Sequence, residues 1–148
     1  GITEWMIIPS KFRTVFLRMG GGKSRKAITI LPRQFFGSRD IYIGKSTFIN
    51  WNCFIEGNVY IGNNCNIAYQ VTFCTSTHLS GNEKRRAGLK ESKKIIVEDG
   101  CWIGANSVIM PGVHIGSGVI IGAGSVVNKD CPDNSIYAGI PARKIKSL

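Results

Sequence analysis

Residues 95–127 read IIVEDGCWIGANSVIMPGVHIGSGVIIGAGSVV. Val97, Ile103, Ile109, Ile115, Ile121 and Val127 recur at every sixth position. Four residues after each stands a compact side chain: Cys101, Ser107, Val113, Val119, Ser125 and Cys131. An amphipathic helix would space apolar residues by three and four, and an alternating strand by two. Neither describes this stretch. A six-residue beat with small partners describes short flat strands joined by tight turns and stacked as a parallel solenoid, three hexapeptides closing one triangular coil. Glycine after the aliphatic residue, as in IGAN, IGSG and IGAG, accepts turn geometry that branched residues resist.

The same beat runs upstream through Ile43, Ile49, Ile55, Ile61, Ile67 and Phe73, with Thr47, Cys53, Val59, Cys65, Val71 and Thr77 in the small slots. Between the two runs lies FCTSTHLSGNEKRRAGLKESKK, residues 73–94. Phe73 and Val97 are 24 residues apart, a multiple of six, so the interruption leaves and rejoins one architecture in phase. The expected layout is a single domain over 1–148. Residues 1–40 form an N-terminal cap and imperfect first coils, 41–78 and 95–131 the regular coils, 79–94 an inserted loop, and 132–148 a C-terminal cap. Coils stacked at the ordinary strand spacing of about 4.8 Å give a prism roughly 25 Å tall. Its open ends need covering, because each coil otherwise shields the apolar edge of the next.

The register also assigns the cysteines. Cys53, Cys65, Cys101 and Cys131 fall in inward slots, where a thiol acts as a compact hydrophobe, and Cys74 alone falls on an outward position. With five cysteines, no CxxC pair and two histidines, neither a disulfide framework nor a metal site is expected. The chain has 148 residues, 43% hydrophobic, which suffices for one core. It has no apolar run long enough to span a membrane. The opening GITEWMIIPSKF lacks a signal peptide's basic start and long apolar stretch, so a cytoplasmic protein is expected. The net charge of +10 collects in Lys11–Lys26, in Lys84–Lys94 and in Arg143–Lys146. No zinc-finger spacing, aromatic RNA-binding signature or helix-turn-helix accompanies it, so no nucleic-acid partner is expected. A phosphorylated cofactor, an acidic saccharide or an anionic membrane would be attracted equally well.

The repeat, the Thr77-His78 pair before the interruption, CWIGA just after it, and the terminal IPARKIK together resemble the hexapeptide-repeat acyltransferases over residues 41–146. The nearest likeness is to sugar and polysaccharide O-acetyltransferases of the maltose and galactoside type. The resemblance implies an all-β fold, a left-handed parallel β-helix with an inserted active-site loop, and acetyl-CoA as acyl donor with no metal. It implies that His78 is the general base, standing at the last position of a hexapeptide where a rigid wall gives way to a loop. An imidazole can take up a proton at working pH, and a rigid mount keeps it within reach of its substrate. His114, inside an unbroken repeat, is read as structural or solvent-facing. Asn52, in NWNC, matches an Asn that contacts the acceptor or helps place the base, and also suits a plain coil turn. Trp102 matches a tryptophan bordering the site, against the substrate or the pantetheine arm. Ala105 matches a position whose amide lies near the thioester, where many relatives carry Ser. Gly122 and Ala123 belong to a coil whose backbone follows the arm, and Lys129, Arg143 and Lys144 stand where relatives meet the phosphates. Glu83 is the nearest acidic candidate to orient His78. Attack by Cys74 is the internal rival.

The opening IIPSKFRTVFLRMGGGKSRKAITILP is similar to that of bacterial O-acetyltransferases of capsule, O-antigen or exopolysaccharide, and the helical N-terminal segment of the maltose group is not apparent in it. The implied reaction is therefore acetylation of a sugar hydroxyl in surface-polysaccharide biosynthesis. N-acetylation of an amino sugar, acetylation of a galactoside, serine or antibiotic, and a non-catalytic binding solenoid are the alternatives. The resemblance further implies a homotrimer with active sites between subunits, working on a small-molecule or oligosaccharide acceptor. Peripheral membrane contact through the basic, aromatic N-terminus is a further reading. The γ-class carbonic anhydrases share the fold but need three metal-binding histidines.

Overall fold

The computed structural model describes residues 9–19, 23–24, 28–38 and 40–148. The regular part is a parallel β-solenoid with three faces. The first face stacks Lys23–Ser24, Ile41–Ile43, Val59–Ile61, Ile95–Val97 and His114–Ile115. The second stacks Thr29–Ile30, Phe48–Ile49, Asn66–Ile67, Trp102–Ile103 and Ile120–Ile121. The third stacks Phe35–Phe36, Phe54–Ile55, Thr72–Phe73, Val108–Ile109 and Val126–Val127. The chain visits the faces in turn, and ladder partners such as Ile49 and Ile67, or Ile103 and Ile121, lie one 18-residue coil apart. The beat residues Ile43 to Phe73 and Val97 to Val127 are buried and form one continuous core. Each fully buried isoleucine contributes roughly 1.5–3 kcal/mol relative to exposure.

The small slots are buried as expected, with one exception. Cys53, Cys65, Cys101 and Cys131 point inward, and the hydroxyls that share their positions are satisfied. Thr47 Oγ1 donates to the Gly62 carbonyl and accepts from the Cys65 amide, and Ser107 Oγ donates to the Gly122 carbonyl. Thr77 is the exception. It is exposed, and Thr75 turns inward instead, because the chain has already left the coil by Ser76.

The glycines after the aliphatic residues serve a different purpose from the expected one. A left-handed φ does recur, but three residues after the beat: at Ser46, Asn52, Asn58, Asn64 and Gln70, then Gly100, Asn106, Gly112, Gly118 and Gly124. Asn, whose short side chain tolerates that region, fills it often. The glycine directly after the beat is needed for contact between coils. A methyl group on Gly44 would sit 2.5 Å from the Gly62 carbonyl, and one on Gly104 would sit 2.5 Å from the Ala123 nitrogen.

The first coil is out of phase by one residue. Ile30 pairs with Ile49 and Phe36 with Ile55, each 19 apart, so one extra residue lies between Phe36 and Ile41. Gln34 fills this coil's inward slot, its Oε1 accepting from the Cys53 amide and its Nε2 donating to the Leu31 carbonyl. A helix, Ser10–Met19, covers the start of the core, and its buried Arg13 donates from Nη1 to the Ile30 carbonyl. The sequence gives no sign of this helix. The segment is short, and Arg13 hides its buried face from a hydrophobicity reading. At the other end Ser135–Gly139 joins the second face parallel to Ile120–Ile121, and Ala142–Ser147 folds back on it antiparallel. Of the basic, aromatic N-terminus behind the membrane-contact reading, Trp5 lies outside the described residues, while Lys11, Phe12, Arg13 and Arg18 belong to the Ser10–Met19 helix. Among the described residues no helix is long and apolar enough to cross a membrane.

Candidate active site

The interruption is an ordered hairpin rather than an irregular loop. Ser76–Ser80 pairs antiparallel with Ala87–Ser92, in the register Ser76 to Ser92, Thr77 to Glu91 and His78 to Lys90. It projects from the corner between the third and first faces, and the coil ladders run on beneath it, Val59 to Ile95 and Phe73 to Ile109. His78 therefore stands two residues out along a hairpin strand and not on the last position of a hexapeptide. Its ring is exposed, and Nδ1 lies 2.8 Å from the Gly88 carbonyl of the opposite strand. A carbonyl can only accept, so Nδ1 carries a proton, and in the neutral ring Nε2 holds the lone pair. The Gly88 carbonyl, not Glu83, orients the ring.

The hairpin's base is tied to the coil by Glu56. One carboxylate oxygen accepts the amides of Thr75 and Ser76, both at 2.8 Å, and the other takes the Ser76 hydroxyl. The Ser76 hydroxyl is the largest influence holding this carboxyl below its ordinary range, against a smaller opposing effect of burial. Glu56, Thr75, Ser76, Lys90 and Ser92 border an open groove of about 650 Å³, together with the stacked rings of Phe35 and Phe54, 4.5 Å apart. Nothing in the sequence marks Glu56 or Gly88, and Lys90 stands out there only within the basic cluster of residues 84–94. The coil length of 18 residues would have put Glu56 beneath residues 74–76, but nothing in its own hexapeptide marks it.

Cys74 makes a poor nucleophile. Its thiol donates to the Ser76 carbonyl, and burial followed by the charge of Glu56 raises its pKa. Burial also holds two of the inward thiols protonated, pushing Cys53 up to about 11 and Cys131 up to about 12. His114 bonds Glu98 at 2.8 Å on the first face.

The remaining candidates fall elsewhere on the prism. Asn52 occupies the corner between the second and third faces with φ 57°, so it holds a turn, and its amide donates to the Pro32 carbonyl. Ala105 lies at the same corner two coils on, its carbonyl accepting from Gly124, with Ala123 one coil further. Gly122 is committed to the cap: its amide donates to the Tyr137 carbonyl, and its own carbonyl accepts the Ser107 and Ser125 hydroxyls. Trp102 stands outward on the second face between Asn66 and Ile120, 56% exposed. Arg143 and Lys144 lie exposed at the capped end of that face, opposite Ala138 and Tyr137. Lys129 is exposed at the corner between the third and first faces, the hairpin's side. Within one chain, then, His78 and the Asn52, Trp102, Ala105 and Arg143 group occupy different edges, with the third face between them.

Comparison with known proteins fits this architecture. Residues 94–129 match the bacterial transferase hexapeptide family, described as six repeats. The chain is 40% identical over 119 residues to the galactoside O-acetyltransferase of Escherichia coli, covering 79% of this chain and 59% of that protein. It thus spans a little over half the length of this curated relative. Its structure is similar to a hexapeptide-repeat acetyltransferase of Vibrio cholerae complexed with acetyl-CoA, with TM-score 0.87, 32% identity, and 99% and 81% of the two chains covered. It is similar also to a maltose O-acetyltransferase of Clostridium difficile, with TM-score 0.90, 30% identity and the same coverage. By repeat, by coil architecture and by these likenesses, the chain belongs to the hexapeptide-repeat transferase family.

Proposed function

We propose that the chain is an acetyl-CoA-dependent O-acetyltransferase acting on a sugar hydroxyl, with His78 as general base. The observation that carries this reading is the His78 bond to Gly88, which leaves Nε2 free to receive a proton on an ordered, projecting strand. Nε2 takes the proton of an acceptor hydroxyl, whose oxygen attacks the thioester carbonyl of the acyl donor. As the carbon–sulfur bond breaks, the imidazolium returns its proton to the departing thiolate. A backbone amide such as that of Ala105 supports the oxyanion. The acetyl-CoA-bound and sugar-acetylating relatives support this choice of donor and acceptor class.

The separation of His78 from Trp102 and Arg143 supports a site shared between neighbouring copies, as in a homotrimer. One subunit's hairpin would reach the second face of the next. Exposed Leu79 and Leu89 on the hairpin, and Trp51, Tyr69 and Trp102 on and beside the second face, offer apolar surface for that contact. Arg143 and Lys144 at the capped end suit the donor's phosphates through charge-assisted bonds. A sugar of a bacterial surface polysaccharide is the acceptor we favour. The test is thiol release from acetyl-CoA across a panel of mono- and oligosaccharides, with the product identified by mass. Acceptor-dependent release and a sugar heavier by one acetyl group are expected. Release that no sugar stimulates, or acetylation confined to amines, overturns the reading.

A further inference from the structure

We propose that Glu56 is a positioning residue for His78, a carboxylate latch that fixes the hairpin to the prism; this rests on the reading of His78 as the base. Glu56 follows Ile55 at the corner where the second full coil passes from the third face to the first. At several corners a side chain reaches back to the coil before. Asn63 Oδ1 accepts the Lys45 amide, and Asp99 Oδ1 accepts the Asn63 amide. Glu56 reaches forward, as Gln34 does to the Cys53 amide and Glu98 to the Ser117 hydroxyl, but its target is the start of the hairpin. It gathers two consecutive amides on one oxygen, Thr75 at 2.8 Å and Ser76 at 2.8 Å, with the Thr75 hydroxyl at 3.4 Å. Its other oxygen takes the Ser76 hydroxyl.

Those two residues are where coil becomes hairpin. Thr75 is the last buried residue of its coil and Ser76 the first of the projecting strand. The Lys93 amide donates to the Thr75 carbonyl at 2.8 Å, which closes the base from the other side. The His78 ring is bonded inside the hairpin, to Gly88, so it moves wherever the hairpin moves. Glu56 therefore sets the angle at which the base projects, two residues from the ring and without touching it. Bonds from amides to a charged carboxylate are among the stronger ones, and paired amides are a natural anion cradle. A glutamine in this place can keep one oxygen for the two amides, but it loses the charge that strengthens those bonds, and its NH2 can only donate toward the Ser76 hydroxyl. Among the described residues, the titratable and charged groups around the latch are Cys74 at its foot, Asp40 before the first-face strand and Lys90 on the returning strand.

The experiment compares wild type with Glu56→Gln and Ser76→Ala, by steady-state acetyl transfer and by amide hydrogen exchange over the whole chain. In Glu56→Gln, exchange within residues 75–92 should rise about tenfold or more, since each bond to a charged group exceeds that factor. Exchange in the coils, residues 59–73 and 95–127, should stay as it was. Turnover should fall about 10- to 100-fold, the scale of an ångström's misplacement of a catalytic group, with the acetyl-CoA KM unchanged. Ser76→Ala keeps both amide bonds and should fall between. Wild-type hairpin exchange, corrected for intrinsic rate, should rise as pH drops below the ordinary carboxylate range, and that rise should vanish in Glu56→Gln. Unchanged hairpin exchange in Glu56→Gln overturns the latch. A raised acceptor KM with intact turnover overturns positioning and makes Glu56 a contact to the acceptor. If the wild type transfers no acetyl group to any acceptor, the functional reading fails, while the exchange arm still decides whether Glu56 holds the hairpin.

Discussion

Replacing Gly104 by alanine tests why the beat carries glycine. The added methyl would lie 2.5 Å from the Ala123 nitrogen, 2.7 Å from the Ile121 carbonyl oxygen and 2.8 Å from the Ala123 Cα. Ordinary carbon contacts need about 3.5–4.0 Å, so the two coils must part by roughly 1 Å at this point. Every obstructing atom is backbone, so no side chain can swing aside. The Gly104 amide also donates to the Ile121 carbonyl at 2.8 Å, a ladder bond that the parting would stretch. Overpacking of this kind costs about 1–3 kcal/mol. A weakened hydrogen bond adds about 1 kcal/mol. The control is Gly124→Ala, where nothing lies within 4 Å of the new methyl but φ is +69°. A left-handed alanine costs about 1–2 kcal/mol. Gly124→Asn should cost less, because Asn64 and Asn106 adopt φ 55° and 58° in matching turns. Thermal unfolding followed by far-UV circular dichroism, at one protein concentration, reads the difference. At about 3 °C per kcal/mol, the middle of the range for this chain length, Gly104→Ala should lower Tm by about 6–12 °C and Gly124→Ala by about 3–6 °C. Equal losses, or an unaffected Gly104→Ala, would refute the claim that these glycines exist to let coils approach.

Substituting His78 by alanine should cut turnover about 10²–10⁴-fold with the far-UV spectrum unchanged, the usual contribution of a general base. A loss below tenfold would remove the base from Nε2. Cys74→Ala should leave turnover within twofold of wild type; an inactive variant would instead favour a covalent route. Arg143→Ala should raise the acetyl-CoA KM, less so at high salt where such attraction is screened. A KM that stays constant at every ionic strength would detach Arg143 from the donor. Asp99 accepts the Asn63 amide at 2.7 Å and its side-chain amide at 3.0 Å, and the side-chain bond is the largest influence lowering its pKa. A depressed carboxyl stabilises the fold above its unfolded value of about 3.9 and loses that contribution as pH falls through the lower folded value. Urea midpoints of Asp99→Asn should therefore change less than wild type between pH 5 and about pH 2, and parallel curves would contradict the assignment.

What the sequence makes legible follows the spacing of the interactions involved. Burial along a solenoid repeats at six residues, within one turn of chain, so Ile43 to Val127 can be marked as core from identity alone. The hairpin's position follows from the same count, because its length keeps the beat in phase. Contacts between coils act across 18 to 20 residues, and there a local pattern has nothing to report. Gly104 looks like a turn glycine until the backbone of Ile121 and Ala123 is seen pressed against it. The single extra residue before Ile41 shifts a whole coil, yet it changes no composition and breaks no motif.

The site shows the same division more sharply. His78 is legible because an imidazole beside a break in a rigid repeat is chemically unusual. The carbonyl that orients it is not, since Gly88 contributes only backbone and becomes its partner through a cross-strand register that no residue type encodes. Glu56 is hidden for a related reason. A lone acid in a corner position reads as a solvated surface charge, and only the departure of the chain at Thr75 and Ser76 turns two amides toward it. If the latch holds, the chemistry of this protein depends on a residue 22 positions before the base, one coil below it, whose importance is set by where the repeat stops. Such residues are to be sought by stepping one coil back from any interruption and asking which side chain can reach the two amides that the break leaves exposed.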